Sequence, residues 1–277
     1  MLRAVRVSLP LADCRRLTMF HAVHRWLYIY AGILHRDLSP NNIMCRFMME
    51  ADGEGKEERK VHGVLADYDL SSLVENMKLD YTRTSQQRTG TPPYMAHELL
   101  LEESPIHLYR HDLESLFYIM LLMAARHTIR TPAGEAKPRV AMRESRRLPY
   151  QDWFDEPRYN MLGLCKWGLF SKTQSIEVSP DFEDFFPWLV DLQQCFENGF
   201  KLQPSPNNTL VQLAWRPAVQ QPAEFDDETL GGFITYANIL AAVPYLSGKL
   251  KGLIVRDPGY PSAPASSTSA GTVQVDG

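Results

Sequence analysis

The segment His35-Arg36-Asp37-Leu38-Ser39-Pro40-Asn41-Asn42 sets an aspartate and an asparagine five residues apart in one short polar stretch. That pairing suits phosphoryl transfer. The aspartate accepts or orients the proton of an attacking hydroxyl, and the asparagine helps hold a metal that neutralises charge on the transferring phosphate. The same residue types also make a plain polar turn, so the segments that follow must decide between the two. Ala66-Asp67-Tyr68-Asp69 ends a β-like run, where an aspartate either binds metal or caps the next turn. Gly90-Thr91-Pro92-Pro93-Tyr94-Met95-Ala96-His97-Glu98 closes a stretch rich in hydroxyls and arginines, and His111-Asp112-Leu113-Glu114-Ser115-Leu116 opens an apolar run. An aspartate there is also a favourable charge at a helix N-terminus.

Positioning these residues takes a set of elements that the patterning supplies. Leu17, Phe20, Val23, Leu27 and Tyr30 recur at spacings of three or four, predicting a helix over Arg16 to Ala31 with Gly32 as its left-handed cap. Ile43–Phe47 and Val61–Ala66 read as strands joined by a charged, glycine-bearing tip at 51–60. Ser71 to Glu98 reads mostly as a long loop, functional or disordered, and Asp112–Arg126, apolar nearly all round, as a buried helix. Residues 127–175 read as a basic, irregular insertion. Its Lys137, Arg139, Arg143, Arg146 and Arg147 are either solvated or a face for an acidic partner. Ser179-Pro180 starts a helix through Phe182, Phe185, Phe186 and Leu189, which Pro187 should end or kink. A further helix is expected over Tyr236–Val243, and a disordered low-complexity tail over 247–277. The fold class expected is mainly α with a small β-hairpin.

Composition narrows the function classes. A chain of 277 residues, 44% apolar and 22% charged, is an ordinary globular sequence with one large core or two small ones. A formal charge of -4 and a pI near 6.1 give no global pull towards nucleic acid or an anionic membrane. The longest apolar run, Leu116–Ala125, is half of the ~20 residues a membrane span needs. Met1 to Pro10 has no signal-peptide pattern, so an intracellular protein, cytoplasmic or nuclear and not secreted, is expected. Cys14, Cys45, Cys165 and Cys195 are far apart, and His21, His24 and His62 lack metal-ligand spacing. These histidines read as structural.

Taken in order, the four segments resemble the C-terminal lobe of eukaryotic protein kinases. The resemblance is sharpest to the fungal-type protein kinase family, whose H-R-D-[IL]-S-P-N-N-I, D-[FY]-D and F-D-D-E-T-L-G-G patterns match His35–Ile43, Asp67–Asp69 and Phe225–Gly232. It covers about Pro10 to Leu246, with residues 1–15 as the approach and 16–246 as the lobe. It implies transfer of the γ-phosphate of ATP to a protein serine or threonine, with ATP and magnesium (Mg2+) as cofactors and a protein substrate or partner. By the resemblance Asp37 is the catalytic base, Asn42 and Asp67 are magnesium ligands, and Thr91 lines the substrate site. Arg36 receives a phosphate that Thr82, Thr84 or Ser85 would carry if modified; the other reading of those three is unmodified loop hydroxyls. Asp112 hydrogen-bonds the catalytic-loop backbone from the buried helix, and His35 and Glu98 are structural.

The sequence also departs from the kinase pattern. Ser39 stands where most serine/threonine kinases have a lysine, removing a cation from transition-state stabilisation. Asp69 replaces a glycine suited to positive φ, and His97 replaces a proline, which reads as a minor change. Only 34 residues precede His35, and they contain neither a G-x-G-x-x-G loop nor a strand lysine with its helix glutamate. The expectation is a chain without an ATP-binding lobe or identifiable adenine contacts, inactive alone, with self-association through the exposed lobe interface. A non-catalytic interaction protein is the alternative.

Overall fold

A computed structural model describes residues 21–51, 55, 57–74, 90–101, 105–130, 139–141, 148–172, 174–204 and 225–242. Helix α1 (21–26) runs into a wider π-helical turn, Leu27–Ala31, and stops at Gly32. Gly32 sits at φ 63°, its N–H closing on the Leu27 carbonyl, the cap that the sequence predicts. The chain then enters β1 (Ile33–Leu34), which pairs antiparallel with β4 (Ser72–Leu73), Ile33 opposite Leu73. Between them β2 (Ile43–Ala51) and β3 (Glu57–Leu65) form a hairpin, Ile43 opposite Leu65 and Ala51 opposite Glu57. Pairing therefore runs into the charged stretch read from sequence as the tip. The ladder is a backbone bond pattern, and where Met48, Met49 and Ala51 meet solvent the side chains no longer mark it by alternation.

Helix α2 (Tyr109–Arg126) is the centre of the molecule: every residue from Tyr109 to Ala125 is buried. β5 (Thr128–Arg130) pairs with β6 (Arg139–Ala141), followed by α3 (Asp152–Asp155) and α4 (Tyr159–Phe170). A 3-10 helix, Pro180–Phe185, leads into α5 (Phe186–Leu202), and α6 (Tyr236–Ala242) lies last. The described fold is mainly helical, with three two-stranded antiparallel pairs. None of its helices is long and apolar enough to cross a membrane.

Two segments differ from expectation. The described residues of the stretch 127–175 are not irregular throughout, since they carry β5, β6, α3 and α4. Two glycines, Gly163 and Gly168, hide α4 from propensity. Gly163 is there for close approach, because a Cβ would lie 2.9 Å from the His97 carbonyl oxygen and 3.2 Å from Leu100 Cβ. Pro187 does not break a helix either; it lies in the first turn of α5, where its missing N–H costs nothing, and the irregularity falls earlier, at Phe182. Residues 16–20, Val243 and 247–277 lie outside the described residues, as do Lys137, Arg143, Arg146 and Arg147.

Candidate active site

The loop His35–Asn42 leaves β1 and enters β2, so two short strands hold its ends. His35 is buried, its Nε2 donating to the Ala66 carbonyl at 3.0 Å and its Nδ1 accepting the Asp37 N–H at 3.4 Å. That is a neutral imidazole with its proton on Nε2, and burial lowers its pKa. The Ala66 N–H in turn donates to the Asn42 carbonyl at 2.9 Å. Ala66 is thus held from both sides, which sets Asp67 beside the asparagine end of the loop. Asp67 is exposed and lies at φ 64°, and Arg36 lies at φ 71°. A non-glycine residue in that region stores on the order of 1–3 kcal/mol, and the surrounding bonds hold both residues there.

Asp37 is bound on three sides. Thr91 donates to its Oδ1 from both N–H and Oγ1, each at 2.9 Å, and Asn42 Nδ2 reaches its Oδ2 at 3.2 Å and its carbonyl at 2.8 Å. Gly90, at φ 126°, lets the segment come this close: a Cβ there would stand 3.3 Å from the Arg36 carbonyl oxygen and 3.7 Å from Asp37 Oδ1. Fifty-four residues of chain separate Asp37 from Thr91.

Asp112 anchors the loop from the first turn of α2. It is fully buried; its Oδ2 accepts from the Arg36 N–H at 3.2 Å and from His24 Nε2 at 2.9 Å, and its Oδ1 from His107 Nε2 at 2.8 Å. Burial alone would raise its carboxyl; His107 and His24 outweigh it and hold the group well below the usual range. Glu98 is tied to α2 as well, paired with the Arg110 guanidinium, with His111 Nε2 at 3.4 Å and Gln203 Nε2 at 3.1 Å. Burial opposes its ionisation, and His111 and Arg110 override that and lower its pKa. Arg110 Nε also donates to the Asp227 carbonyl at 2.6 Å, joining the late F-D-D-E-T-L-G-G loop to the same cluster.

Residues 18–124, which include this loop, Asp67, Thr91 and most of α2, match the fungal protein kinase family. That segment is similar to fungal protein kinases. A second likeness agrees: serine/threonine-protein kinase CHK1 of Saccharomyces cerevisiae is 30% identical over 103 residues, 37% of this chain. The chain spans 17% of that protein's length.

Against the kinase pattern, each departure has a structural meaning. The left-handed residue of the D-Y-D turn is Asp67 and not Asp69, so placing aspartate at 69 carries no positive-φ strain. Ser39 is buried, a hydroxyl in place of a cation, and its carbonyl accepts the Asn42 N–H at 3.0 Å. His97 is no minor change. Its N–H and its Nδ1 both bond Glu114 Oε1, at 2.7 and 3.0 Å, and a proline would have no N–H to give. Arg36 Nη1 donates to Ser72 at 2.7 Å; Thr82, Thr84 and Ser85 lie outside the described residues.

Sequence reading passed over Lys166 and Glu114. Lys166, fully buried on α4, donates to the Pro92 and Met95 carbonyls at 2.9 and 2.5 Å, and burial drives its amine well below its ordinary pKa. It fastens the segment that carries Thr91. Glu114 Oε1 also takes the Tyr118 hydroxyl at 2.6 Å. Neither residue had a local signal, since their partners come from distant chain. For a metal, Asn42 spends Nδ2 on Asp37 and has only Oδ1 to offer, and Asp67 adds an exposed carboxylate. No group of three or more His, Cys, Asp or Glu among the described residues could hold a metal. Two oxygen donors suit magnesium, which keeps waters and shares its shell with phosphate.

Proposed function

We propose that this chain is a protein kinase-like phosphotransferase, the C-terminal lobe of a kinase, moving the γ-phosphate of ATP to a protein serine or threonine hydroxyl. One observation supports the reading: the Asp37 carboxylate is held by Thr91 and Asn42, and Asn42 is tied through its carbonyl to Ala66, the neighbour of Asp67. Asp37 takes or orients the hydroxyl proton, Thr91 fixes the rotamer that does so, and Asn42 and Asp67 hold magnesium. Bound magnesium would neutralise charge on the phosphate. The test is magnesium-dependent incorporation of labelled phosphate from ATP into a serine/threonine peptide library by the full chain, wild type against Asp37→Ala and Asp67→Ala. The reading expects both variants to abolish incorporation, and incorporation that survives in Asp37→Ala contradicts it.

A second reading, a non-catalytic module that binds another protein, draws on the buried Ser39 hydroxyl that replaces a cation. It expects no incorporation by the wild-type chain and no effect of either substitution.

A further inference from the structure

The F-D-D-E-T-L-G-G element is followed by Phe233, Ile234, Thr235 and Tyr236, and no step of the phosphotransfer reading uses Tyr236. Its position is over-determined. The Tyr109 hydroxyl donates to the Ile234 carbonyl at 2.9 Å, and the Tyr109 and Tyr236 rings stack with centroids 5.3 Å apart and planes 14° from parallel. His21 meets the same ring edge-on at 5.2 Å. The Tyr236 hydroxyl lies 2.9 Å from His24 Nδ1, and Tyr236, His24 and Asp112 are all buried.

We propose that Tyr236 is a positioning residue for the catalytic loop, acting through His24 and Asp112 on the backbone N–H of Arg36. The direction of the chain follows from chemistry. A carboxylate offers no proton, so His24 Nε2 carries the hydrogen that bonds Asp112 Oδ2. In the neutral imidazole Nδ1 is then an acceptor, and the Tyr236 hydroxyl donates to it. The hydroxyl selects the one tautomer that Asp112 requires. The Asp112 oxygen that His24 orients is the same one that receives the Arg36 N–H, the residue held at φ 71° next to Asp37.

The inference rests on the phosphotransfer reading only for its kinetic arm. Tyr236→Phe keeps the ring stack and removes the hydroxyl alone, so a role confined to packing predicts no change. In the full chain at pH 8 the nitrogen spectrum of His24 should show Nε2 protonated and Nδ1 accepting a hydrogen bond, with Nδ1 losing that bond in Tyr236→Phe. Hydrogen exchange of the Arg36 amide should quicken about threefold to tenfold, the effect of one neutral hydrogen bond. In an active wild type kcat should fall by a similar factor, with KM for ATP and peptide unchanged. An unchanged Arg36 exchange rate, a protonated Nδ1 in the wild type, or an unchanged kcat overturns the inference. A wild type without transfer activity counts against the phosphotransfer reading, and the exchange and nitrogen measurements then decide the inference by themselves.

Discussion

Two carboxylates divide the work at the scale of single residues. Asp37 lies half-buried and bound by Thr91 and Asn42, whereas Asp112 is fully buried with three donors. Asp37→Asn keeps an oxygen for the Thr91 donors but no longer takes a proton. It should lower phosphate transfer by roughly 10²–10⁴-fold while leaving the thermal midpoint near that of the wild type, as rate and melting measurements will check. Asp112→Asn inverts the outcome. An amide must turn its NH2 towards one of the donors His24, His107 or Arg36, leaving buried polar groups unpaired. Urea unfolding should record a loss on the order of 3–5 kcal/mol, and a loss under about 1 kcal/mol would contradict this account of the cluster.

Helix α4 acts as a fastening at the scale of elements. Its Gly163 lets it lie against the His97 carbonyl, and from that distance Lys166 reaches two carbonyls of the segment that carries Thr91. Gly163→Ala adds a methyl group where the nearest atom is backbone oxygen at 2.9 Å and should destabilise by about 1–3 kcal/mol. Chemical denaturation against wild type measures it. Lys166→Met keeps the buried stem and removes both donors. Hydrogen exchange should quicken at residues 94–96 and stay unchanged in α2, and uniform protection across both would show that Lys166 does not hold the segment.

Acid sensitivity belongs to the whole molecule. Burial, with His24 and Arg25 nearby, lowers His21 to about 3, and burial with Arg110 lowers His111 to about 4. Both fold as neutral imidazoles, whereas the unfolded chain binds protons on them near pH 6.5. Their contribution to stability is complete above about pH 6.5 and is lost as pH falls towards 4 and then 3. Each imidazole costs about 1.4 kcal/mol for every pH unit descended between those limits. Asp112, Glu98 and Glu114, held ionised below their ordinary range, add losses of the same sign at lower pH. Urea midpoints at pH 7.5, 5.5 and 4.5 should fall in that order. Equal midpoints would mean that these imidazoles are not buried neutral.

Much of the site could be read from local sequence. The loop His35–Asn42, the Gly32 cap and the buried helix around Leu113–Ala125 are written over a few consecutive residues, where turn chemistry, a left-handed φ and uninterrupted apolarity act without distant partners. Helix α4 was illegible because its two glycines speak against a helix and its reason for being one lies on another segment. Only the tertiary structure decided which groups hold Asp37 and its loop in place. Lys166 meets Pro92 across 74 residues, His24 meets Asp112 across 88, and Tyr236 meets His24 across 212. Side chains buried so far apart in sequence leave no periodic trace, because what selects each is the unpaired polar atom that folding brings to it.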